Sequence, residues 1–325
     1  MNDSIKEIQK DFERFHNHGL ALNEQVIILD ENIVENSLRD FNKFFESRDE
    51  FFRKHRINEE CKLLPEGIDI DEDNWTVAYN PNHEDYVSTS LQNNPTKNYG
   101  FGKGVNVWSV FKRNKIDRRD RDGNPLVYAL KNINGWRFKT KQDRNNLLNQ
   151  MALIIDKFTN ENGVFSPTVV IPSGSALNML LANMVKERNP KATIIDDILV
   201  KMSAEDVYYE TISPNTPFRK FYNTDKLFKV ACDKLWGFCC DMKEKHRGEF
   251  SYRFVTDDDM RNVIGRTLKV TNDREGKYSE DINGKDILIV DDTISRGSTI
   301  NCSIDAITDT FIPKSITVLT MFSKL

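Results

Sequence analysis

Apolar residues are spaced in different ways along the chain, and the spacing divides it. Up to about residue 60 they recur every three or four positions: Ile5, Ile8, Phe12 and Phe15 behind Ser4 and Glu7, then Ile33, Val34, Leu38, Phe41, Phe44, Phe45 and Phe52 behind Asp30. That period predicts two amphipathic helices, the first opened by a capping box and ended by Gly19. From Cys61 to about Thr140 the texture changes to short β-like runs between turn residues: Trp75 to Tyr79, Val105 to Phe111, Leu126 to Leu130, and Trp136 to Phe138. Residues 1–140 are therefore expected to form an α+β appendage or hood, helical over 1–60 and stranded over 61–140.

After Lys141, strand-like and helix-like segments alternate. Leu147, Leu148, Met151, Ile154, Ile155 and Phe158 mark an amphipathic helix, which breaks at Asn162-Gly163. Val169 to Ile171 reads as a short buried strand, Pro172-Ser173-Gly174-Ser175 as a polar turn, and Ala176 to Val185 as a nearly all-apolar, buried helix. Thr193 to Ile195 and, after Asp196-Asp197, Ile198 to Val200 read as one or two further strands ending at Lys201, with the two acids in a turn rather than a second metal site. A helical run covers about Asp225 to Lys245, inside a connection (203–278) long enough to be an insertion. Ile287 to Val290, after the turn signal Asn283-Gly284, has the four-aliphatic run of a strand covered on both faces. Ile300, Ile304, Ile307 and Phe311 then trace a helix, and Ile316 to Phe322 a last strand. Alternation of this kind predicts an α/β domain over 141–325 with a central parallel sheet flanked by helices.

Two strand-loop-helix units carry candidate chemistry. In the first, Asp291 and Asp292 fall where the strand runs out, the edge of an open α/β sheet at which ligands collect. Thr293, Ser295, Arg296, Gly297, Ser298 and Thr299 follow as a hydroxyl-rich loop opening a helix, a setting in which backbone N–H groups and the helix dipole cradle an anion. In the second, Ser173, Gly174, Ser175 and Ala176 form another loop before a helix. Carboxylates beside an anion nest suit a phosphorylated sugar, whose hydroxyls they accept from or whose hard cation they ligate.

The stretch Ile287 to Thr299 (ILIVDDTISRGST) closely resembles the phosphoribosyl pyrophosphate (PRPP) signature of the type I phosphoribosyltransferases. With Ser295-Arg296-Gly297 it looks most like the version in amidophosphoribosyltransferases. The resemblance covers roughly 141–325 and implies that family's fold, with its hood supplied by the N-terminal half or by the 203–278 insertion. It implies an enzyme that binds PRPP and displaces pyrophosphate at ribose C1, with Mg²⁺ as cofactor. Asp291 and Asp292 would orient the ribose and serve as metal ligands, directly or through the substrate. The loop from Thr293 to Thr299 would hold the 5′-phosphate, and Ser173 to Ala176 the pyrophosphate. Lys201 would add a cation to the leaving group, and Arg247, Ser251, Tyr252 and Arg253 would belong to a flexible closing loop. The pyrophosphate loop contains no basic residue, which departs from well-known members. Residue 2 is Asn, so glutamine hydrolysis by an N-terminal Cys is not carried over, and the acceptor stays open.

Composition narrows the remaining choices. A length of 325 residues suggests two domains at roughly 150 residues each. A net charge of −4 gives no global field toward nucleic acid or an anionic membrane. Five cysteines without a CxxC pair argue against a disulfide framework or structural zinc. No apolar run reaches membrane-spanning length and the N-terminus is not signal-like, so a cytoplasmic setting is expected. Lys112, Arg113, Lys115, Arg118, Arg119 and Arg121 cluster beside Trp108 and Phe111. They read either as a nucleic-acid contact or as a solvated hairpin tip ending at Asp122-Gly123-Asn124-Pro125. Gly100-Phe101-Gly102-Lys103-Gly104 reads as a flexible loop or a phosphate loop of unfamiliar spacing. A second function class therefore stays beside the transferase: a PRPP- or nucleotide-sensing regulator or effector whose N-terminal half contacts nucleic acid or a protein, with a homodimer left open.

Overall fold

The computed structural model describes residues 66–99, 104–113, 123–245, 248–271, 275–294 and 297–323, without the side chains of Arg253, Asp258 and Glu275. The chain divides into Met1–Glu59 and Glu60–Leu325, and every described residue belongs to the second unit. The two N-terminal helices expected from periodicity, residues 100–103 of the glycine-rich loop, and Lys115, Arg118, Arg119 and Arg121 lie outside the described residues.

The strands, in chain order, are β1 (Gly67–Asp71), β2 (Thr76–Asn80), β3 (Val87–Ser88), β4 (Thr96–Asn98), β5 (Asn106–Arg113), β6 (Arg137–Phe138), β7 (Thr168–Val170), β8 (Ile194–Ile195), β9 (Leu199–Lys201), β10 (Leu268–Val270), β11 (Asp286–Ile294) and β12 (Ser315–Ser323). Seven of them build a central sheet in the order β3-β5-β12-β11-β7-β8, with β4 also on β5. Pairings among β5, β12, β11, β7 and β8 are parallel, whereas β3 and β4 join β5 antiparallel. The molecule is thus mixed α/β with a mostly parallel central sheet flanked by helices. β11 lies between β12 and β7, and Ile287, Leu288, Ile289 and Val290 are each 0 % exposed. An unbroken aliphatic run is what burial on both faces demands.

The helix Ser298–Thr310 follows β11 and buries Ile300, Ile304 and Ile307, three or four positions apart, against the sheet. Lys141–Asn162 starts at Thr140, whose Oγ1 accepts from the Asp143 N–H at 3.1 Å, and buries Leu147, Met151, Ile154, Ile155 and Phe158. No helix among the described residues is long and apolar enough to cross a membrane.

Two expectations change. The described residues of the 61–140 segment do not form a body apart from the parallel sheet. β5 pairs with β12 from Asn106 opposite Thr317 to Lys112 opposite Ser323, so this segment supplies a strand of the main sheet, and β3 and β4 extend it. Only β1, β2 and β6 make a separate three-stranded sheet. The run Leu126 to Leu130 is not a strand but part of the helix Asn124–Lys131. Pro125 occupies its first turn, and Leu126, Val127 and Ala129 form its buried face. Five mostly apolar residues fit either period, and the proline was the deciding signal.

The long connection folds on itself. β9 and β10 pair antiparallel, Lys201 opposite Leu268 and Leu199 opposite Val270, so the segment between them departs and returns side by side. Within it, the helices Ala204–Ile212, Pro217–Phe221, Asp225–Lys245 and Asp258–Val263 surround their own core, including Val207, Phe218, Leu235, Met242 and Met260, all 0 % exposed. Ser203, Thr216 and Asp257 cap three of these helices through side-chain oxygens. The stem delivers this helical unit to the carboxyl edge of the sheet.

Candidate functional site

β7 stops pairing with β11 at Val170 opposite Val290, while β11 runs on through Asp291 and Asp292 to Ile294, so the acids lie within the strand and not where it runs out, because β12 continues to pair with it there. The chain after β7 turns away at that level, which brings the loop Pro172 to Ala176 beside the two acids. Contacts follow from this geometry. Asp292 Oδ2 accepts from Ser173 Oγ at 3.1 Å and Ser175 Oγ at 3.3 Å. Asp291 Oδ1 accepts from Asn178 Nδ2 at 3.2 Å and from the Asp292 N–H at 2.9 Å. Both candidate loops therefore meet at the acidic pair, although 117 residues or more separate them in sequence.

The acids differ electrically. Burial, and next the neighbouring Asp292 charge, push the Asp291 carboxyl up from 3.8 to about 7. Asp292 instead has a cation: Lys131 Nζ lies 2.7 Å from Oδ2. The shift has a direct consequence for stability. Between about pH 4 and pH 7 Asp291 is protonated in the folded chain and ionised in the unfolded one, so stability falls as pH rises through that window. Asp291→Asn stays neutral and can still accept both hydrogen bonds. Its melting temperature should pull ahead of the parent's between pH 4 and pH 8; a difference that stays constant over that range refutes the assignment.

A cleft opens at this edge, lined by Ile171 to Gly174, Lys201, Phe250 to Tyr252, Thr267, Leu268, Asp291 to Thr293 and Thr299. A second, smaller hollow shares Tyr252, Asp291, Thr293 and Thr299 with it and reaches Arg261 and Gly297 to Ile300. Gly297, at φ 78°, occupies the left-handed region just before the helix Ser298–Thr310, a conformation a side chain would strain. Thr293 Oγ1 is buried with no hydrogen-bond partner.

The helical insertion forms the facing wall. Burial holds the Tyr252 phenol above its ordinary value, and the side chains of Cys302, Thr267 and Ser298 lie beside its hydroxyl. Arg261 fixes the same turn from behind, donating to the Tyr252 carbonyl at 2.9 Å and to the Val255 carbonyl. Lys201 reaches the cleft from the end of β9 and lies 4.0 Å from Glu249.

Of the residues singled out from sequence, Asp291, Asp292, Ser173, Gly174, Lys201, Ser251, Tyr252, Thr293, Gly297, Ser298 and Thr299 line this joined space. Ser175 touches it through Asp292, whereas Ala176 only precedes the helix Leu177–Lys186. Ser295, Arg296 and Arg247 lie outside the described residues, as does the side chain of Arg253. Arg113 is not a surface cation for nucleic acid: it is 6 % exposed and donates to Asn124. Lys112 stays exposed.

Lys131 and Asn178 were not singled out. Asn178 carried a signal, being a polar residue on the buried face of an otherwise apolar helix; it is 1 % exposed and also donates to the Ile171 carbonyl at 2.8 Å. Lys131 carried none.

Among the described residues no group of three or more His, Cys, Asp and Glu side chains is placed to hold a metal. Two adjacent carboxylates with hydroxyls beside them are nevertheless the hard oxygen donors that Mg²⁺ accepts, and Mg²⁺ commonly takes one or two carboxylates and completes its shell from phosphates and water. The donor set fits a cation arriving with an oxygen-rich ligand rather than an all-protein cage. Comparison of this chain with protein-family models, with curated proteins and with solved structures returns no match.

Proposed function

We propose that this cleft binds PRPP, or a closely related ribose 5-phosphate ligand, and that the protein is a phosphoribosyltransferase-like enzyme displacing pyrophosphate at C1. The observation that carries this reading is the meeting at Asp291 and Asp292 of two strand-loop-helix units, one bearing the PRPP-like sequence and the other donating two serine hydroxyls.

In this reading the ribose hydroxyls donate to the carboxylates, which hold the ring by its 2′ and 3′ edge. Amides and hydroxyls at Gly297 to Thr299, at the positive end of the helix Ser298–Thr310, take the 5′-phosphate. The free Thr293 hydroxyl supplies one further donor. The Ser173 to Ala176 loop takes the pyrophosphate, with Lys201 as a cation on the far side. Holding the phosphate and both hydroxyls fixes C1, so remote binding energy goes into orienting the reacting carbon. Mg²⁺, when bound, would neutralise the leaving diphosphate. Asp291 and Asp292 are not general bases here; the negative charge of Asp292 stabilises positive charge developing on the ring. Tyr252 and Phe250 on the helical wall shield the ring from water.

The test is a melting experiment with PRPP and Mg²⁺, together with pyrophosphate release across a panel of bases and amines. A ligand that binds only the folded state contributes about 2.7 kcal/mol at 100 times its Kd, a rise of roughly 4 °C for a chain of this length. Absence of any PRPP-dependent rise at millimolar ligand rejects the reading. A rise without turnover for any acceptor would favour the sensing role.

A further inference from the structure

Lys131 belongs to neither loop. It ends the helix Asn124–Lys131, yet its ammonium lies 2.7 Å from Asp292 Oδ2, the oxygen that also receives the hydroxyls of Ser173 and Ser175. The cation therefore sits at the mouth of the Ser173 to Ala176 loop. That loop contains no lysine or arginine, so an anion entering it meets hydroxyls and amides but no charge of its own.

The backbone behind the side chain is fixed. The Asn132 N–H donates to the Ala129 carbonyl at 3.3 Å and the Ile133 N–H to the Tyr128 carbonyl at 3.0 Å, with Asn132 at φ 52° closing the helix. Only the flexible stem of Lys131 has to turn for its ammonium to change partner. Side-chain exposure of 20 % leaves room for that rotation.

Resting on the phosphoribosyl reading of the cleft, we propose that Lys131 is a partner-exchanging diphosphate ligand. In the empty cleft it is the counter-ion of Asp292. When a phosphorylated ligand arrives with its divalent cation, the cation and the ammonium compete for one carboxylate, and the ammonium turns onto the diphosphate beside it. The missing positive charge of the loop is thus supplied from a different part of the chain. Negative charge never goes unmatched on either side of the exchange.

Two affinities moving in opposite directions test this, measured on the full chain as parent, Lys131→Gln and Lys131→Arg. Inorganic pyrophosphate with Mg²⁺, titrated by calorimetry, should bind Lys131→Gln about tenfold or more weakly, with Lys131→Arg restoring much of the loss. Mn²⁺ alone, followed by electron paramagnetic resonance, should bind Lys131→Gln more tightly than the parent because its competitor for Asp292 is gone. Unchanged affinity for either probe overturns the inference. A Lys131→Gln variant that only melts earlier, with both affinities intact, also overturns it and leaves Lys131 as a clamp on the helix. Should the parent bind neither PRPP nor pyrophosphate, the phosphoribosyl reading falls and this inference with it. Should the parent bind both while Lys131→Gln binds as tightly, the inference alone falls.

Discussion

Asp292→Asn is expected to abolish the melting-temperature rise produced by PRPP with Mg²⁺ and to lower pyrophosphate release about a hundredfold, the usual scale for removing one preorganised electrostatic partner. Asn keeps the shape and still accepts from Ser173 and Ser175, so the loop Pro172 to Ala176 should stay in place. What disappears is the negative charge toward ribose, cation and Lys131. Lys131 can turn to solvent, so the ligand-free variant should melt within a few degrees of the parent. Folding and binding are thereby separated. A variant that keeps the parent's ligand-induced rise would sink the assignment of Asp292 to the sugar.

The second large effect is on stability. Ile289→Ala removes a side chain that is 0 % exposed and lies in the middle of the sheet, opposite Val318 of β12 on one side and Val169 of β7 on the other. Such deletions cost the lost burial plus the cavity left behind, about 3 to 4 kcal/mol here, because a strand held by neighbours on both edges cannot collapse inward. Denaturant unfolding should show a lower midpoint with an unchanged slope. Ile312, 82 % exposed, is the control: Ile312→Ala should stay within about 0.5 kcal/mol. Equal losses at the two positions would mean that β11 is not the centre of the sheet.

Asp291 lies two residues beyond Ile289 on the same strand, so one element carries both the core and the acids. This coupling explains why Ile287 to Thr299 was the most legible stretch. A buried parallel strand needs consecutive aliphatics, its end needs polar groups, and a helix start needs small residues, so each requirement leaves a mark at a fixed place in the chain. The helix Asp225–Lys245 and the strands β7, β8, β9 and β12 were readable for related reasons of period and punctuation. The helix Asn124–Lys131 was misread because five residues do not fix a period. The place of β5 in the main sheet was missed because pairing with β12 joins segments about two hundred residues apart, and no local pattern encodes a partner at that distance.

Local order was thus written in the sequence: the alternation that makes an α/β sheet, the buried strand β11 with its acidic pair, and the hydroxyl-bearing turn at Ser173 to Ser175. The fold alone decided which of these meet. It set Ser173 and Ser175 on Asp292, brought Tyr252 across on a helical insertion and Lys201 on the end of β9, and placed Lys131 where the loop lacks charge. Side-chain type and spacing report only on neighbours along the chain. Burial of Asp291, and the ion pair that keeps Asp292 company, arise from segments that become neighbours only when the sheet closes, so their energies depend on distances that no stretch of sequence contains.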